Sequence, residues 1–384
     1  MRSIAIDDPS VAILGALDAD VSATGTTPRR VPNWTRAQLP DLLFEAVGTM
    51  ASGVRLAFRT TSEAVELDVN VSGFRTVDQA PKPALFQLVV EDGTDHVRIV
   101  DGPAELALCF VINPADPADV AIERGGPATV RFDRLGEGGK RCELWLPHDA
   151  SVELRALRID DNASIGPSER DKRRWVHYGS SISHCLEADE PTGTWPAVAA
   201  RLAGVELRNL GLGGQCMLDP FMGRTLRDVE ADLISVKLGV NIVNGDTMRE
   251  RTFVPAVHGL LDFIRDGHPD APLLVVTPII FPVAEHHPGP TPNTGDGRFG
   301  VLDRSPAASE GALSISRIRA LLRDVVAARQ AAGDTNLHLL EGTELFGPDD
   351  VGDLPDGLHP NAAGYRRMGE RFHQLVFAPG GVFA

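Results

Sequence analysis

Two residues near the end of the chain have the types and spacing of an acid–base pair. Asp356 and His359 occur in the sequence Asp-Gly-Leu-His-Pro. This spacing lets the carboxylate accept a hydrogen bond from one imidazole nitrogen while the other nitrogen faces outward. The carboxylate then fixes the tautomer and stabilises the imidazolium, so that the histidine can act as a general base. A simple surface pair is the alternative interpretation.

A serine that could be the nucleophile lies in the sequence Tyr-Gly-Ser-Ser-Ile, which ends at Ile182. A tight turn between a strand and a helix can expose the hydroxyl of Ser181, and a helix N-terminus favours a developing anion. Gly-Ser-Ser is equally typical of a turn with an N-cap serine. Taken alone, this segment favours the turn.

Two further segments could donate hydrogen bonds to an oxyanion. Asn-Leu-Gly-Leu-Gly-Gly ends at Gly214, and glycines after a strand let a backbone N–H point into a site. Asn241 could donate its side-chain amide, or could be a turn residue or helix cap. Dinucleotide binding is a rival for the glycine segment, but Cys216 occupies the last position of the GxGxxG pattern. Cys216 is itself a rival nucleophile, although buried unreactive cysteine is commoner.

The sequence pattern of the second half predicts the strands and helices that would position these residues. Strand patterns alternate with helix patterns, which is typical of a parallel sheet wrapped by helices. The predicted strands are 175–178, 205–209, 233–238, 273–277 and 337–340, and the predicted helices are 195–203, 257–267 and 315–332. All four segments fall at predicted strand ends, where such sheets carry their sites. Together they supply a nucleophile, two oxyanion donors, and a base with the residue that orients it.

The first half predicts a different architecture. Short alternating strands separated by glycine turns indicate an antiparallel sandwich. These strands are 54–59, 65–71, 85–90, 142–146 and 152–159. No nucleophile motif or metal cluster occurs there, which favours an accessory domain resembling a carbohydrate-binding module. We therefore predict two domains, 1–165 and 171–384, joined by a polar linker within 160–174 whose Lys-Arg-Arg run is a solvated surface.

From residue 175 to about 372 the chain resembles the SGNH (GDSL-like) hydrolase family, whose four sequence blocks match the four segments. The resemblance implies an α/β fold, a flavodoxin-like α/β/α sandwich with a parallel sheet. The site residues that it implies are Ser181 as nucleophile, His359 and Asp356 as its triad partners, and an oxyanion hole of the Ser181 and Gly214 N–H groups with the Asn241 side chain. Family members usually carry aspartate where Ser180 stands, and often where Ile242 stands. Neither position belongs to the triad, so we expect the chemistry to survive.

The whole chain also resembles a subgroup of this family in which a β-sandwich precedes the catalytic domain. This resemblance implies an acyltransferase that moves an aromatic, salicylyl-type group from a CoA thioester to a hydroxyl of a tetracycline-type polyketide, in antibiotic biosynthesis. A carboxylic ester hydrolase is the first alternative, because only the nucleophile that reaches the acyl-enzyme differs. A non-catalytic glycan-binding protein is the second. The Pro/Gly-rich loop 278–300 could form a wall or lid that binds an aromatic group, or could be a plain surface loop.

Charge, cysteine content and local sequence restrict the partners, cellular location and cofactors that we expect. The formal charge of −16, without basic clusters, argues against nucleic acid and anionic membranes as partners. Four widely spaced cysteines and an acidic N-terminus without a signal pattern predict free thiols and a cytoplasmic location. Glu285-His286-His287 lacks the spacing of a zinc helix, so we predict no metal. We expect no permanently bound cofactor, acyl-CoA as co-substrate and a small-molecule alcohol as acceptor; the oligomeric state is not predicted.

Overall fold

The computed structural model describes residues 1–93, 97–113, 116–168 and 172–384, without the side chains of residues 117, 118 and 306. The chain divides into two compact units. The first comprises Met1–Asp171 with Glu190–Thr192, and the second comprises Lys172–Asp189 with Gly193–Ala384. Among the described residues, no helix is long and apolar enough to cross a membrane.

Strands make up most of the first unit. They are β1 (Arg2–Ile4), β2 (Ala12–Leu14), β3 (Asp18–Val21), β4 (Thr26–Arg29), β5 (Arg55–Thr60), β6 (Val65–Thr76), β7 (Ala84–Glu91), β8 (Val97–Ala104), β9 (Leu108–Asn113), β10 (Asp116–Arg124), β11 (Ala128–Phe132), β12 (Lys140–Trp145), β13 (Ser151–Ile159) and β14 (Ile165–Gly166). Helix α1 (Leu42–Thr49) and a 3₁₀ turn, Asn33–Ala37, lie between β4 and β5.

These strands form two sheets around one apolar core. One sheet runs in the order β10-β9-β6-β13-β4-β3, with β1 beside β13 and β11 beside β6; the other runs β14-β5-β12-β7-β8, with β2 beside β5. Alternate residues of β6 are buried, from Val65 to Val71, and they share a core with Leu56 and Phe58 of β5. Period-two burial from both sheets is what a sandwich requires. The predicted sandwich is confirmed, with one parallel pair, β6 and β9.

The second unit alternates strands and helices. Its strands are β15 (Arg174–Gly179), β16 (Glu206–Gly211), β17 (Leu233–Lys237), β18 (Leu273–Val276) and β19 (Leu337–Leu340). Its helices are α2 (Ser181–His184), α3 (Trp195–Ala203), α4 (Pro220–Asp228), α5 (Val240–Gly245), α6 (Glu250–Gly267), α7 (Pro306–Ser309), α8 (Ile315–Ala331), α9 (Gly342–Leu345) and α10 (Ala362–Phe372). It also contains two 3₁₀ segments, Pro282–Ala284 and Pro348–Asp353, and a π-helical turn, His373–Phe377.

The five strands of this unit pair in parallel, in the order β16-β15-β17-β18-β19. By order of appearance this is 2-1-3-4-5, the flavodoxin-like order, which confirms the predicted fold class. Strands β17 and β18 are buried throughout, as expected for strands covered on both faces. The order reverses between β15 and β17, and ligands of such sheets bind outside the carboxyl ends of the strands at that point.

The predicted linker 160–174 was wrong over most of the residues that can be described. Asp160 accepts hydrogen bonds from the Ser62 hydroxyl and the Glu63 backbone N–H, and β14 pairs with β5. Arg174 already belongs to β15 and forms ion pairs with Glu230 and Asp232, so it is not simply a solvated charge. These contacts are long-range in sequence, which is why composition alone suggested a linker. Residues 169–171 of this segment lie outside the described residues.

Candidate active site

Three adjacent strand ends bring the first three predicted segments to one edge of the sheet. Ser181 is the first residue of α2, just after β15. Gly214 lies in the turn after β16 with a φ of +70°, a conformation that glycine adopts without strain. Asn241 is the second residue of α5, just after β17. Because β15 lies between β16 and β17, these residues stand on both sides of the point where the strand order reverses.

The turn that carries Ser181 satisfies both interpretations of the Gly-Ser-Ser sequence. Ser180 is the N-cap of α2, and its hydroxyl accepts a hydrogen bond from the Ile182 N–H at 3.4 Å. Ser181 follows as the first helical residue. A Cβ on Gly179 would collide with the Ser183 side chain, and one on Gly211 would collide with the Ser183 backbone. Glycine at both positions therefore lets α2 approach the ends of the strands closely.

Ser181, His359 and Asp356 form one hydrogen-bonded chain. The distance from His359 Nε2 to Ser181 Oγ is 2.8 Å, and that from His359 Nδ1 to Asp356 Oδ2 is 2.6 Å. The other oxygen of Asp356 accepts the backbone N–H groups of Leu358 and His359 at 2.8 and 2.7 Å. These two bonds fix the carboxylate, and the carboxylate in turn holds the imidazole with Nε2 towards the serine. This is the geometry of a nucleophile with its general base.

The electrostatics of the pair agree with that geometry. Burial opposes charge on the His359 imidazole, but the Glu187 and Asp356 carboxylates outweigh it and raise the pKa of His359. Burial also opposes charge on Asp356, and the hydrogen bond from His359 together with the backbone N–H groups lowers the pKa of Asp356. The carboxylate is therefore ionised at neutral pH, and an imidazolium beside it is stabilised.

Glu187 was not predicted from the sequence, yet it is a second carboxylate beside the histidine. Its Oε1 lies 3.6 Å from His359 Nδ1, and its Oε2 accepts a hydrogen bond of 2.8 Å from the Tyr365 hydroxyl. Glu187 belongs to the loop after α2, and Tyr365 to α10, 178 residues further along the chain. No short motif joins the two residues, so only the folded chain reveals them.

The long loop 278–300, for which a wall or lid and a plain surface loop were both possible, reaches the triad. The backbone N–H of Phe299 donates to the Asp356 carbonyl at 3.1 Å. The Phe299 ring meets the His359 ring edge-on, with centroids 5.7 Å apart, and lies 6.5 Å from the ring of Phe281. One aromatic ring of the loop, Phe299, thus packs against the imidazole of His359, and Phe281 packs behind Phe299. A plain surface loop would not make these contacts.

The side chain of Asn241 has a defined orientation. Its Oδ1 accepts a hydrogen bond of 3.0 Å from the Cys216 backbone N–H, and only 3% of the residue is exposed. The amide NH₂ therefore faces away from Cys216 and is the group available to donate to a ligand. Cys216 is 1% exposed, and burial raises the pKa of its thiol to about 12. A thiol that stays protonated is a poor nucleophile, which argues against Cys216 as the attacking group.

The Glu285-His286-His287 segment has other partners. The Glu285 carboxylate forms an ion pair with Arg319, and His286 Nδ1 lies 3.2 Å from the Ser316 hydroxyl. Within the described ranges, no group of three or more His, Cys, Asp or Glu side chains could hold a metal ion. The absence of a metal from the reaction stays a prediction.

A second serine–histidine pair shares helix α2 with the first. His177, on β15, is fully buried, and its Nε2 lies 2.8 Å from the Ser183 hydroxyl. Its Nδ1 lies 2.7 Å from the hydroxyl of Ser235, which also accepts the indole N–H of Trp175. Burial, together with the charge of Lys237, lowers the pKa of His177 to about 3. No motif in the sequence marks this pair.

Comparison with known sequences and folds fits the geometry. A sequence model of the GDSL-like lipase/acylhydrolase family matches residues 177–367, which contain Ser181, Asn241 and His359. The second unit therefore carries the sequence pattern of this lipase/acylhydrolase family. A comparison with curated proteins gave no match.

Solved structures resemble the chain over nearly its whole length. The salicylyl-acyltransferase SsfX3 from a tetracycline biosynthetic pathway is 25% identical, with a TM-score of 0.81 over 97% of this chain and 96% of that one. A family two carbohydrate esterase from Clostridium thermocellum in complex with cellohexaose is 15% identical, with a TM-score of 0.57 over 95% and 97%. One from Cellvibrio japonicus is 12% identical, also with a TM-score of 0.57, over 97% and 96%. At these identities the two esterases share the fold alone.

Proposed function

We propose that the chain is an acyltransferase that carries an aromatic, salicylyl-type acyl group on Ser181, taking it from a CoA thioester and giving it to a hydroxyl of a tetracycline-type polyketide. The hydrogen-bonded chain from Ser181 through His359 to Asp356 is the observation that carries the acyl-enzyme. The choice of acyl group and acceptor is supported by the 25% identity to SsfX3 over almost the full chain.

The first half-reaction forms the acyl-enzyme. Ser181 Oγ attacks the thioester carbonyl while His359 Nε2 takes the hydroxyl proton, and the Asp356 carboxylate stabilises the resulting imidazolium. The oxyanion accepts hydrogen bonds from the N–H groups of Ser181 and Gly214 and from the Asn241 amide. When the carbon–sulfur bond breaks, the proton on His359 passes to the departing thiolate. The products are the Ser181 ester and the free thiol of CoA.

The second half-reaction decides between transfer and hydrolysis. The acceptor hydroxyl gives its proton to His359 Nε2 and attacks the Ser181 ester, and Ser181 recovers the proton as the product ester leaves. Transfer requires a site that positions the alcohol and limits water. The Phe299 ring beside His359, with Phe281 packed against it, favours a flat, apolar group in that place. Entry of water instead gives a carboxylic ester hydrolase, the alternative that the fold shared with carbohydrate esterases keeps open.

Partitioning of a trapped acyl-enzyme tests the proposal. The protein is incubated with salicylyl-CoA, and the mass increase of one salicylyl group is located by peptide mass spectrometry. A tetracycline-type polyketide alcohol is then added, and ester and free salicylate are quantified. We expect the label on Ser181 and predominant ester formation. Release of free acid alone would identify an esterase, and labelling elsewhere would overturn the role of Ser181.

Two further parts of the proposal concern the rest of the molecule. We propose that the mechanism uses no metal ion or permanently bound cofactor, so turnover with salicylyl-CoA should be the same before and after dialysis against EDTA. A clear loss of turnover that added Zn²⁺ restores would contradict this.

We also propose that the first unit is an accessory domain, because the residues given chemical roles above all belong to the second unit.

A further inference from the structure

We propose that Glu187, held by Tyr365, is a second anionic partner of His359: a positioning residue that supports the imidazolium together with Asp356 and partly replaces Asp356 when that carboxylate is neutralised. This proposal rests on the proposed function, since it concerns the base that activates Ser181. Neither Glu187 nor Tyr365 belongs to the family motif that the sequence displays.

The distances define how Glu187 acts. The Nδ1 proton of His359 goes to Asp356 at 2.6 Å, while Glu187 Oε1 stands 3.6 Å from the same nitrogen. At 3.6 Å a carboxylate does not share the proton, but its charge still acts on the ring. Only 12% of the His359 side chain and 32% of the Glu187 side chain are exposed, so water screens the interaction incompletely. Glu187 therefore acts by charge, and Asp356 acts by charge and by orientation.

The backbone and one hydroxyl hold Glu187 in place. Cys185 ends α2 in the left-handed conformation, with a φ of 64°, and the chain turns sharply there. The Tyr365 hydroxyl then donates to Glu187 Oε2 at 2.8 Å. Burial, with the nearby Glu187 charge, raises the pKa of Tyr365 well above its usual value, so that the phenol remains a donor throughout the working range of pH. The carboxylate is thus fixed from two elements, the α2 loop and α10.

The groups around the imidazole are few, which makes the effect of Glu187 separable. The ionisable or hydrogen-bonding groups that face His359 in the described structure are Ser181 from α2, Glu187 from the following loop and Asp356 from its own turn; the Phe299 ring is uncharged. Buried Tyr365 faces Glu187 rather than the imidazole. Both carboxylates favour the imidazolium, so removing either one should weaken the base, and each should limit the damage caused by losing the other.

The Glu187 charge should shift the pH dependence of activity in a defined direction. Ser181 is activated only while His359 is neutral, so activity falls as the pH drops through the pKa of His359. The Glu187 charge raises that pKa. Glu187→Gln should therefore move the acid limb of the rate profile to lower pH, while reducing the rate on the plateau because the base is weaker.

The experiment measures the rate at which a fluorophosphonate labels the full-length protein from pH 5 to 9, because this probe needs no identified substrate. The variants are Glu187→Gln, Asp356→Asn and the double variant. Asp189→Asn is the matched control, because it removes a charge from the same loop on a side chain that is 72% exposed. We expect Glu187→Gln to reduce the plateau rate on the order of tenfold, and by a larger factor in the Asp356→Asn background, as for residues sharing one network.

The outcomes separate this proposal from the proposed function. Equal factors in the two backgrounds with an unmoved acid limb would show that Glu187 is only structural and would overturn the inference, although labelling of Ser181 would stand. Labelling that persists in Ser181→Ala would overturn the proposed function itself. If Glu187→Gln does not fold, Tyr365→Phe provides the test. We expect it to lower the plateau rate by roughly twofold or more and to move the acid limb to lower pH; an unchanged profile would again overturn the inference.

Discussion

Two serine–histidine pairs, built on the same short helix, differ in almost everything except the bond that defines them. Ser181 and Ser183 both belong to α2, and each hydroxyl lies 2.8 Å from a histidine Nε2. The difference is at the opposite nitrogen. His359 Nδ1 faces the Asp356 carboxylate, whereas His177 Nδ1 faces the neutral Ser235 hydroxyl.

This difference decides what each imidazole can do. A general base must accept a proton, so its charged form has to be stabilised. The carboxylates raise the pKa of His359 despite burial, while burial lowers the pKa of His177 to about 3. His177 therefore stays neutral and serves as a hydrogen-bonding part of the core. A short serine–histidine distance alone does not identify a catalytic pair; the partner of the second nitrogen does.

Removing each serine in turn should give the largest difference between the two pairs. Ser181→Ala should lower kcat by about 10⁴-fold or more, since the nucleophile is lost. Ser183→Ala is the matched control and should keep kcat within about tenfold, because Ser183 takes no part in the reaction. Steady-state turnover of salicylyl-CoA measures both. Equal losses in the two variants would make the pairs functionally indistinguishable.

The next effect concerns the oxyanion. Asn241→Ala should lower kcat on the order of 10²–10³-fold with little change in KM, because the donor acts in the transition state. Asn241→Asp keeps an oxygen for the Cys216 N–H but loses the donor, so it should lose a similar factor. Circular dichroism checks that both variants remain folded. An Asn241→Asp variant with wild-type kcat would remove Asn241 from the oxyanion hole.

Protonation of the His359 ring should change activity less than the substitutions above, and gradually with pH. Because the pKa of His359 is raised, kcat/KM should fall on acidification with a midpoint above the usual value of 6.5. His177, with a pKa near 3, should not titrate between pH 5 and 8. NMR of the imidazole protons follows both rings in one sample. A shift of the His177 signals near pH 6 would contradict its assignment to the core.

Stability should show the reverse ranking of the serines. Ser183→Ala removes a partner of the fully buried His177 ring and should lower the free energy of unfolding by ~1–3 kcal/mol. Ser181 lies partly exposed at the start of α2, so Ser181→Ala should cost less. Urea denaturation of the two variants provides the comparison. A larger loss of unfolding free energy in Ser181→Ala would mean that the triad, rather than the pair of Ser183 and His177, stabilises α2.

Much of the fold and of the candidate site could be predicted because the signals are local. The strand–helix alternation, the strand ends and the three-residue spacing of Asp356 and His359 can all be found in single stretches of sequence. The first four strands and α1 were missed, since these strands are only three or four residues long and carry no clear period.

The parts of the site that were missed depend on long-range contacts. Glu187 meets Tyr365 from 178 positions away, and Phe299 reaches His359 from an irregular loop. His177 resembles any residue of a buried strand until Ser183 and Ser235 are placed beside it. Local patterns predicted Ser181, His359 and Asp356, whereas the charges and rings around them are determined by packing alone.

The state of the four cysteines makes the protein suitable for a thiol-based assay. All are free and buried, and burial raises the pKa of each thiol, to about 12 for Cys142 and Cys216. Disulfide dyes such as DTNB react with thiolates, so the thiols of the folded protein should hardly react with them. The thiol released from a CoA donor would then be the main source of colour. Transfer could be followed continuously, donor by donor, in a plate reader without inactivating the catalyst.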